Sequence, residues 1–249
     1  VLDDRDGGRD VVSAFQGFFK ETFEFMEGLR EHNNKAWFDK HRGDYEKFYL
    51  EPAKTFVEDV GRSLRKIAPH ARAEPRVGGS IFRINRDIRF SSDKRPYKDH
   101  LDFWFWEGDR KLATSGFFLR LQPERVVVGA GAHHFDKPSL ERFRSAIVTA
   151  GDELVTAVTK VERTGDAVYG EYYKRPPRGF DARPESQRFL LFNSLWGAHE
   201  DSLPDVVFSG DFVGYCAGHW KKLAPLHRWL IEHVQVGPDS GRERDLGSG

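Results

Sequence analysis

The residues best equipped for chemistry fall in one stretch, Ile81 to Lys98, IFRINRDIRFSSDKRPYK. Between Arg76 and Lys98 stand seven cations (Arg76, Arg83, Arg86, Arg89, Lys94, Arg95, Lys98) against two anions (Asp87, Asp93), a local excess of five positive charges. Over the whole chain Lys plus Arg equals Asp plus Glu at 39 each, so the excess belongs to this segment and not to a general field. A guanidinium offers a planar fork of donors that fits carboxylate or phosphate oxygens two at a time, and several of them together make an anion site. Read as an extended strand, the segment puts Arg83, Asn85, Asp87 and Arg89 on one face. Phe82, Ile84, Ile88 and Phe90 share the other, with Arg86 as the intruder. Cationic stems that border apolar surface need a partner, and either protein carboxylates or a bound anion would serve.

A second basic feature is Lys174 to Asp181, KRPPRGFD, where the prolines stiffen the backbone, Gly179 permits a turn, and Arg175 and Arg178 are displayed. The candidate ligand-binding set is therefore Arg83, Arg86, Arg89, Lys94 and Lys98 from the centre, with Tyr97 as a hydrogen-bond donor, joined by Arg175 and Arg178 from the loop. If the two motifs converge, their mutual repulsion calls for a compensating anion. A third stretch, Asn33 to Arg42, sets Lys35, Asp39 and Arg42 beside Trp37 on a helix and reads mainly as packing.

Other chemistries lack their residues. His133 and His134 are adjacent and point to opposite faces of a strand, and there is no HExxH, CxxC or facial-triad spacing, so neither a metal site nor a cofactor is expected. Gly129 and Gly131 occur as GAGA without the context of a dinucleotide fold, and no GxxxxGK(S/T) loop or Gly-x-Ser-x-Gly elbow is present. The single cysteine, Cys216, excludes an internal disulfide. Together with the lack of any apolar run of about 20 residues and a polar, acidic start, this predicts a cytoplasmic protein without a membrane span. Neutral overall charge argues against duplex nucleic acid as a partner.

The elements that must position these residues follow from periodicity. Phe19, Phe23, Met26 and Leu29 recur at helical spacing. A second helix starts at Asn33 and Asn34, and a third beside Pro52 carries Phe56, Val60, Leu64 and Ile67 to Pro69. Strands are predicted at Ile81–Ile84, Leu101–Trp106, Gly116–Leu121 and Arg125–Val128, separated by turn residues. Helical spacing returns with Leu140, Phe143 and Ile147, then Leu154, Val158 and Val161 after a break at Gly151. A last helix over about Asp211–Val234 contains Pro225. The pattern is α+β: a central antiparallel β-meander packed by N-terminal and C-terminal helices in a single domain over 12–236, with disordered tails at 1–11 and 237–249.

The segments NNKAWFDKHRGDY, SIFRINRDIRFSSDKRPYKDH and KRPPRGFD, in that order, resemble domain-of-unknown-function family 2461, a family of bacterial and fungal conserved hypothetical proteins. Arg83, Arg86, Asp87, Arg89, Phe90, Asp93, Lys94, Pro96, Tyr97 and Lys98 match its pattern, whereas the Phe103 to Trp106 run is more aromatic than the pattern. The resemblance implies a grouping and no activity. Three readings stay open: binding of a phosphorylated or other anionic ligand in an Arg/Lys-rich cleft; a metal-independent enzyme acting on phosphoryl or acyl groups, with Asp87 or Asp93 as base; and a scaffold in which the basic segment is an internal salt-bridge lattice.

Overall fold

The structure, a computed structural model, describes residues 15–108, 115–175 and 177–235. The expected tails at 1–11 and 237–249 lie outside them. Helix α1, Lys20–Glu31, buries the Phe23, Met26 and Leu29 stripe. The Asn34 side chain caps α2, Lys35–Lys40, by accepting from Trp37 N. One turn, α3, Arg42–Asp44, leads into a π-helical turn over Tyr45–Leu50 that hands over to α4, Glu51–Leu64. Pro52, which has no N–H to give, sits near that junction, where the hydrogen-bond pattern changes.

Five strands form one antiparallel sheet in the order β1-β2-β3-β5-β4: β1 Leu101–Trp106, β2 Gly116–Leu121, β3 Arg125–Ala132, β4 Ala167–Tyr169 and β5 Leu195–Ser202. The first three are the meander expected from the sequence. Helix α5, Lys137–Glu162, starts at the Asp136 cap and is kinked at Ala150 (φ −129°, ψ 28°), one residue before the expected break. Short α6, Pro184–Gln187, follows β4, and α7, Phe212–His233, runs on through Pro225. The inner face of the sheet, with Phe103, Phe105, Phe117, Leu119 and Val128, packs into the main core with Phe56, Phe212 and Trp220. Each such side chain contributes roughly 1.5–3 kcal/mol by leaving water. Two indoles fix the docking: Trp220 Nε1 donates to Phe118 O at 3.1 Å, and Trp229 Nε1 to Ala150 O at 3.2 Å. The fold is α+β, and among the described residues no helix is long and apolar enough to cross a membrane.

The expected strand over Ile81–Ile84, and with it the two-faced reading of 81–90, is corrected. The segment makes isolated bridges only, Ile81 with Phe103 and Asn85 with Tyr97, and doubles back so that Arg86 N donates to Pro96 O and Lys98 N to Ile84 O. Ile84 is buried but Phe90 is 93% exposed, so no single apolar face exists. Two aspartates are the cause. Asp87 accepts from the backbone of Arg89 and Asp93 from that of Arg95, two residues on in each case, and such local bonds turn a chain that alternation alone would extend.

Candidate functional site

The sheet register assembles an outer face in rows. Asp102, Arg120, Val127 and Glu200 lie side by side across β1, β2, β3 and β5. The next row is Trp104, Phe118, Gly129 and Ala198, and the third is Trp106, Gly116, Gly131, Trp196 and Tyr169. Along the strands the surface thus passes from ionic to aromatic. The glycines are what let the rings lie flat: a Cβ at Gly129 would collide with the Phe118 ring, and one at Gly116 with the Trp104 indole.

Over this face opens a cleft of about 820 Å³, within the range of small-molecule sites. Its apolar wall is Phe82, Trp104, Phe118, Trp196 and His133, with the His133 ring 4.6 Å from Phe118 and 5.1 Å from Trp196. Tyr169 stacks on the far side of Trp196 at 4.3 Å and stiffens it. The buried Nε1 of Trp104 has no hydrogen-bond partner among the described residues. A buried donor in that condition costs free energy until a ligand or water meets it.

The ionic end centres on Asp102, whose side chain is 14% exposed. Arg120 grips it with Nε at 2.7 Å and Nη2 at 3.1 Å, His100 Nε2 lies at 3.2 Å, and Lys98 Nζ at 3.6 Å. Burial raises the Asp102 pKa, and the bonds from His100 and Arg120 more than reverse that, holding the carboxyl well below the usual range. The Lys98 ammonium also sits 4.9 Å from the Phe82 ring centre. Burial lowers its pKa, Asp102 opposes this, and the charges of Arg120 and Arg83 push it down further. Lys98, Arg120 and Arg83 therefore repel one another, and Asp102 offsets this for the first two. Burial also lowers His133, with the Arg120 charge assisting. Farther along the wall Arg125 pairs with Glu200 at 3.3 Å.

Of the residues singled out in the sequence, Lys98 lines the cleft. Arg83 is exposed, pairs with no carboxylate among the described residues, and reaches Lys98 through its field. Arg86 donates to Asp93 at 2.6 Å, Arg89 grips Asp87 at 2.9 and 2.7 Å and holds that carboxyl down at about 2, and Lys94 donates to Ile88 O. Tyr97 is buried against Phe38, ring centres 4.4 Å apart, with Asn33 bonding its backbone on both sides. Arg175 and Arg178 are exposed on the loop after β4, and among the described residues no hydrogen bond or ion pair joins them to the central segment.

Sequence reasoning did not place Asp102, Arg120, Phe118 or Trp196 in a binding site, met Trp104 only as part of an aromatic run, and weighed His133 only as a metal donor, which it set aside. The alternation in LDFWFW was the available signal, since it puts Asp102, Trp104 and Trp106 on one face. A second cluster, Asp166, His199 and His219, lies on the other side of the sheet and offers metal-type donors that no short motif connects. Burial, with His199 and Lys222 nearby, holds the His219 pKa down at about 4.

Among known proteins, the model of a family described as conserved hypothetical protein (DUF2461) matches residues 21–229. The chain matches no curated protein.

Proposed function

Starting from the premise that this chain belongs to the DUF2461 family, whose description carries no activity, we propose from the chemistry of the cleft that the protein binds a small anionic or phosphorylated ligand that also carries a flat apolar part. The observation that carries this reading is the gradient across one continuous floor, from Lys98, Arg120 and Asp102 to Trp104, Phe118 and Trp196. An anionic group at the first end meets Lys98 and Arg120, with Arg83 adding its field. Charge-assisted hydrogen bonds there are worth about 1.5–3 kcal/mol each. A ring at the second end stacks on preformed aromatic faces for roughly 0.5–1.5 kcal/mol beyond its buried area, and the Trp104 indole N–H supplies a directional donor.

The ligand set differs in weight from a plain arginine cluster. Arg86 and Arg89 already hold Asp93 and Asp87, so Lys98, Arg83 and Lys94 are the members of the candidate set with donors to spare, and of these Lys98 lines the cleft. Those same pairs favour a second reading for part of the segment, an internal lattice: Asp93 receives both Arg86 and Arg95 and closes the doubled-back chain. The two readings are compatible, the lattice holding the loop that carries Lys98. Duplex nucleic acid does not suit the site, because 39 basic residues are balanced by 39 acidic ones and the cleft is compact.

A thermal-shift screen of inorganic phosphate, sugar phosphates, nucleoside monophosphates and aryl phosphates tests the proposal. A ligand that binds the native state alone stabilises it by about 2.7 kcal/mol at a hundred times its Kd. Aryl phosphates and nucleotides should shift the melting temperature, and Lys98→Gln should remove the shift while leaving a folded protein. A screen in which no anion stabilises the protein, or in which Lys98→Gln responds like the wild type, refutes the reading.

A further inference from the structure

We infer that Asp166, His199 and His219 bind a divalent transition-metal ion such as Zn²⁺. One donor atom from each lies within 4.8 Å of the other two. Two imidazoles and a carboxylate form a set that suits first-row divalent ions, and three protein ligands leave coordination positions open for water or a substrate. The site is separate from the cleft. His199 and Glu200 are neighbours on β5, so Glu200 lines the cleft on the outer face while His199 points to the side where α7 carries His219.

The surroundings are those of a prepared ligand set. The Asp166 carboxylate is fully buried, lies 3.0 Å from His199 Nδ1, and is 2.7 Å from Thr164 Oγ1, whose single proton it shares with Val161 O at the same distance. A second hydrogen bond of the Thr164 kind fixes a ligating carboxylate in place. The His199 side chain is 29% exposed, which leaves a route for an ion. His219 Nδ1 is buried without a hydrogen-bond partner among the described residues, so a lone pair or N–H there is open to an ion or a water.

Without an ion the same residues form an Asp–His hydrogen bond with a second imidazole stacked on it, and an ion requires a different arrangement of the rings. The His199 and His219 rings are stacked, 3.8 Å apart and 20° from parallel. A metal binds in the plane of an imidazole, so an ion cannot satisfy both rings as they stand. Among the described residues no hydrogen bond holds the His219 ring, so it is the one that turns about its Cβ–Cγ bond to complete the set. Metal binding therefore breaks the stack.

The test is a titration of the full chain, first stripped with a chelator, with Zn²⁺ by calorimetry and with Co²⁺ by its visible absorption. The expected result is one ion per chain and a Co²⁺ band of a nitrogen- and oxygen-ligated site. His199→Ala and His219→Ala should each abolish that event, Thr164→Val should weaken it by about 10–100-fold, and His133→Ala should leave it alone. Circular dichroism reports whether each variant is folded, and Asp166→Asn, which keeps the side chain's shape, replaces any histidine variant that is not. Absence of a stoichiometric event in the wild type, or its survival in folded His219→Ala and Asp166→Asn proteins, overturns the inference.

Discussion

Replacing Asp102 by asparagine should weaken the protein and strengthen its hold on an anionic ligand. Arg120, His100 and Lys98 all contact this carboxylate, and His100 also contacts Asp99 at 3.2 Å. Removing a partner from a buried pair costs about 3–5 kcal/mol, but Arg120 is 44% exposed, so solvent screening reduces the cost. A loss of roughly 2 kcal/mol is expected, which for a chain of this size lowers the melting temperature by about 4–8 °C. The effect on binding has the opposite sign. Lys98 Nζ is 3.6 Å from Asp102, so an anion touching its far side lies about 6–7 Å from the carboxylate. Repulsion over that distance is worth about 0.6 kcal/mol at the dielectric of water and about 2.5 kcal/mol at an effective value of about 20. Relief of it tightens binding by about tenfold. Denaturation in urea and calorimetry with an aryl phosphate read the two quantities separately. If Asp102→Asn loses stability and leaves affinity unchanged or weaker, the cations around Asp102 serve the fold alone.

Three further outcomes follow from the same geometry. Gly129→Ala forces a methyl into the Phe118 ring, so it should cost about 1–3 kcal/mol in a melt and weaken ligand binding together, because the floor of the cleft is displaced. Buried His227 contacts Ser115 at 2.8 Å and Glu107 at 3.2 Å, and its pKa is lowered by burial against the pull of Glu107. The unfolded state therefore takes up a proton near pH 6.5 that the native state declines, and stability should fall as pH drops below about 6.5; His133 and His219 add to the same slope, so His227→Gln should reduce it without removing it in urea melts at pH 7.5 and 5. Arg89→Ala removes an exposed pair with Asp87 and should leave the melting temperature unchanged, whereas Arg86→Ala frees the doubled-back segment around Asp93 and should increase hydrogen exchange at the amides of Arg86 and Lys98.

The parts of the fold that were legible in the sequence are those whose signal is local. The helical stripes of α1, α4 and α5, the Asn34 cap and the three strands of the meander all depend on periods of 3.6 or 2 and on turn residues between them. Strand β5 was hidden because Gly197 and Ala198 interrupt its apolar run and His199, Glu200 and Asp201 continue it in polar residues; it is a strand because β3 and β4 flank it. The segment 81–90 misled in the other direction, its alternation outweighed by two aspartates that bond their own backbone. The cleft was legible only in part. Lys98 and the aromatic run beside it are visible, but that Asp102 faces Arg120 and that Gly129 makes room for Phe118 are facts of register, which the sequence states only after the strands have been paired. The Asp166, His199 and His219 cluster needs the whole topology, since its members come from the approach to β4, from β5 and from α7.

The central claim is that one cleft takes a ring and an anion together, and calorimetry on the full chain with naphthyl phosphate, naphthol and inorganic phosphate tests it most directly. The account predicts that naphthyl phosphate binds one per chain and at least about tenfold more tightly than either fragment, with Lys98→Gln costing it the phosphate contribution and Trp196→Ala the ring contribution, each about 1–3 kcal/mol. Inorganic phosphate binding as tightly as naphthyl phosphate, or naphthyl phosphate binding that neither substitution weakens, would contradict it.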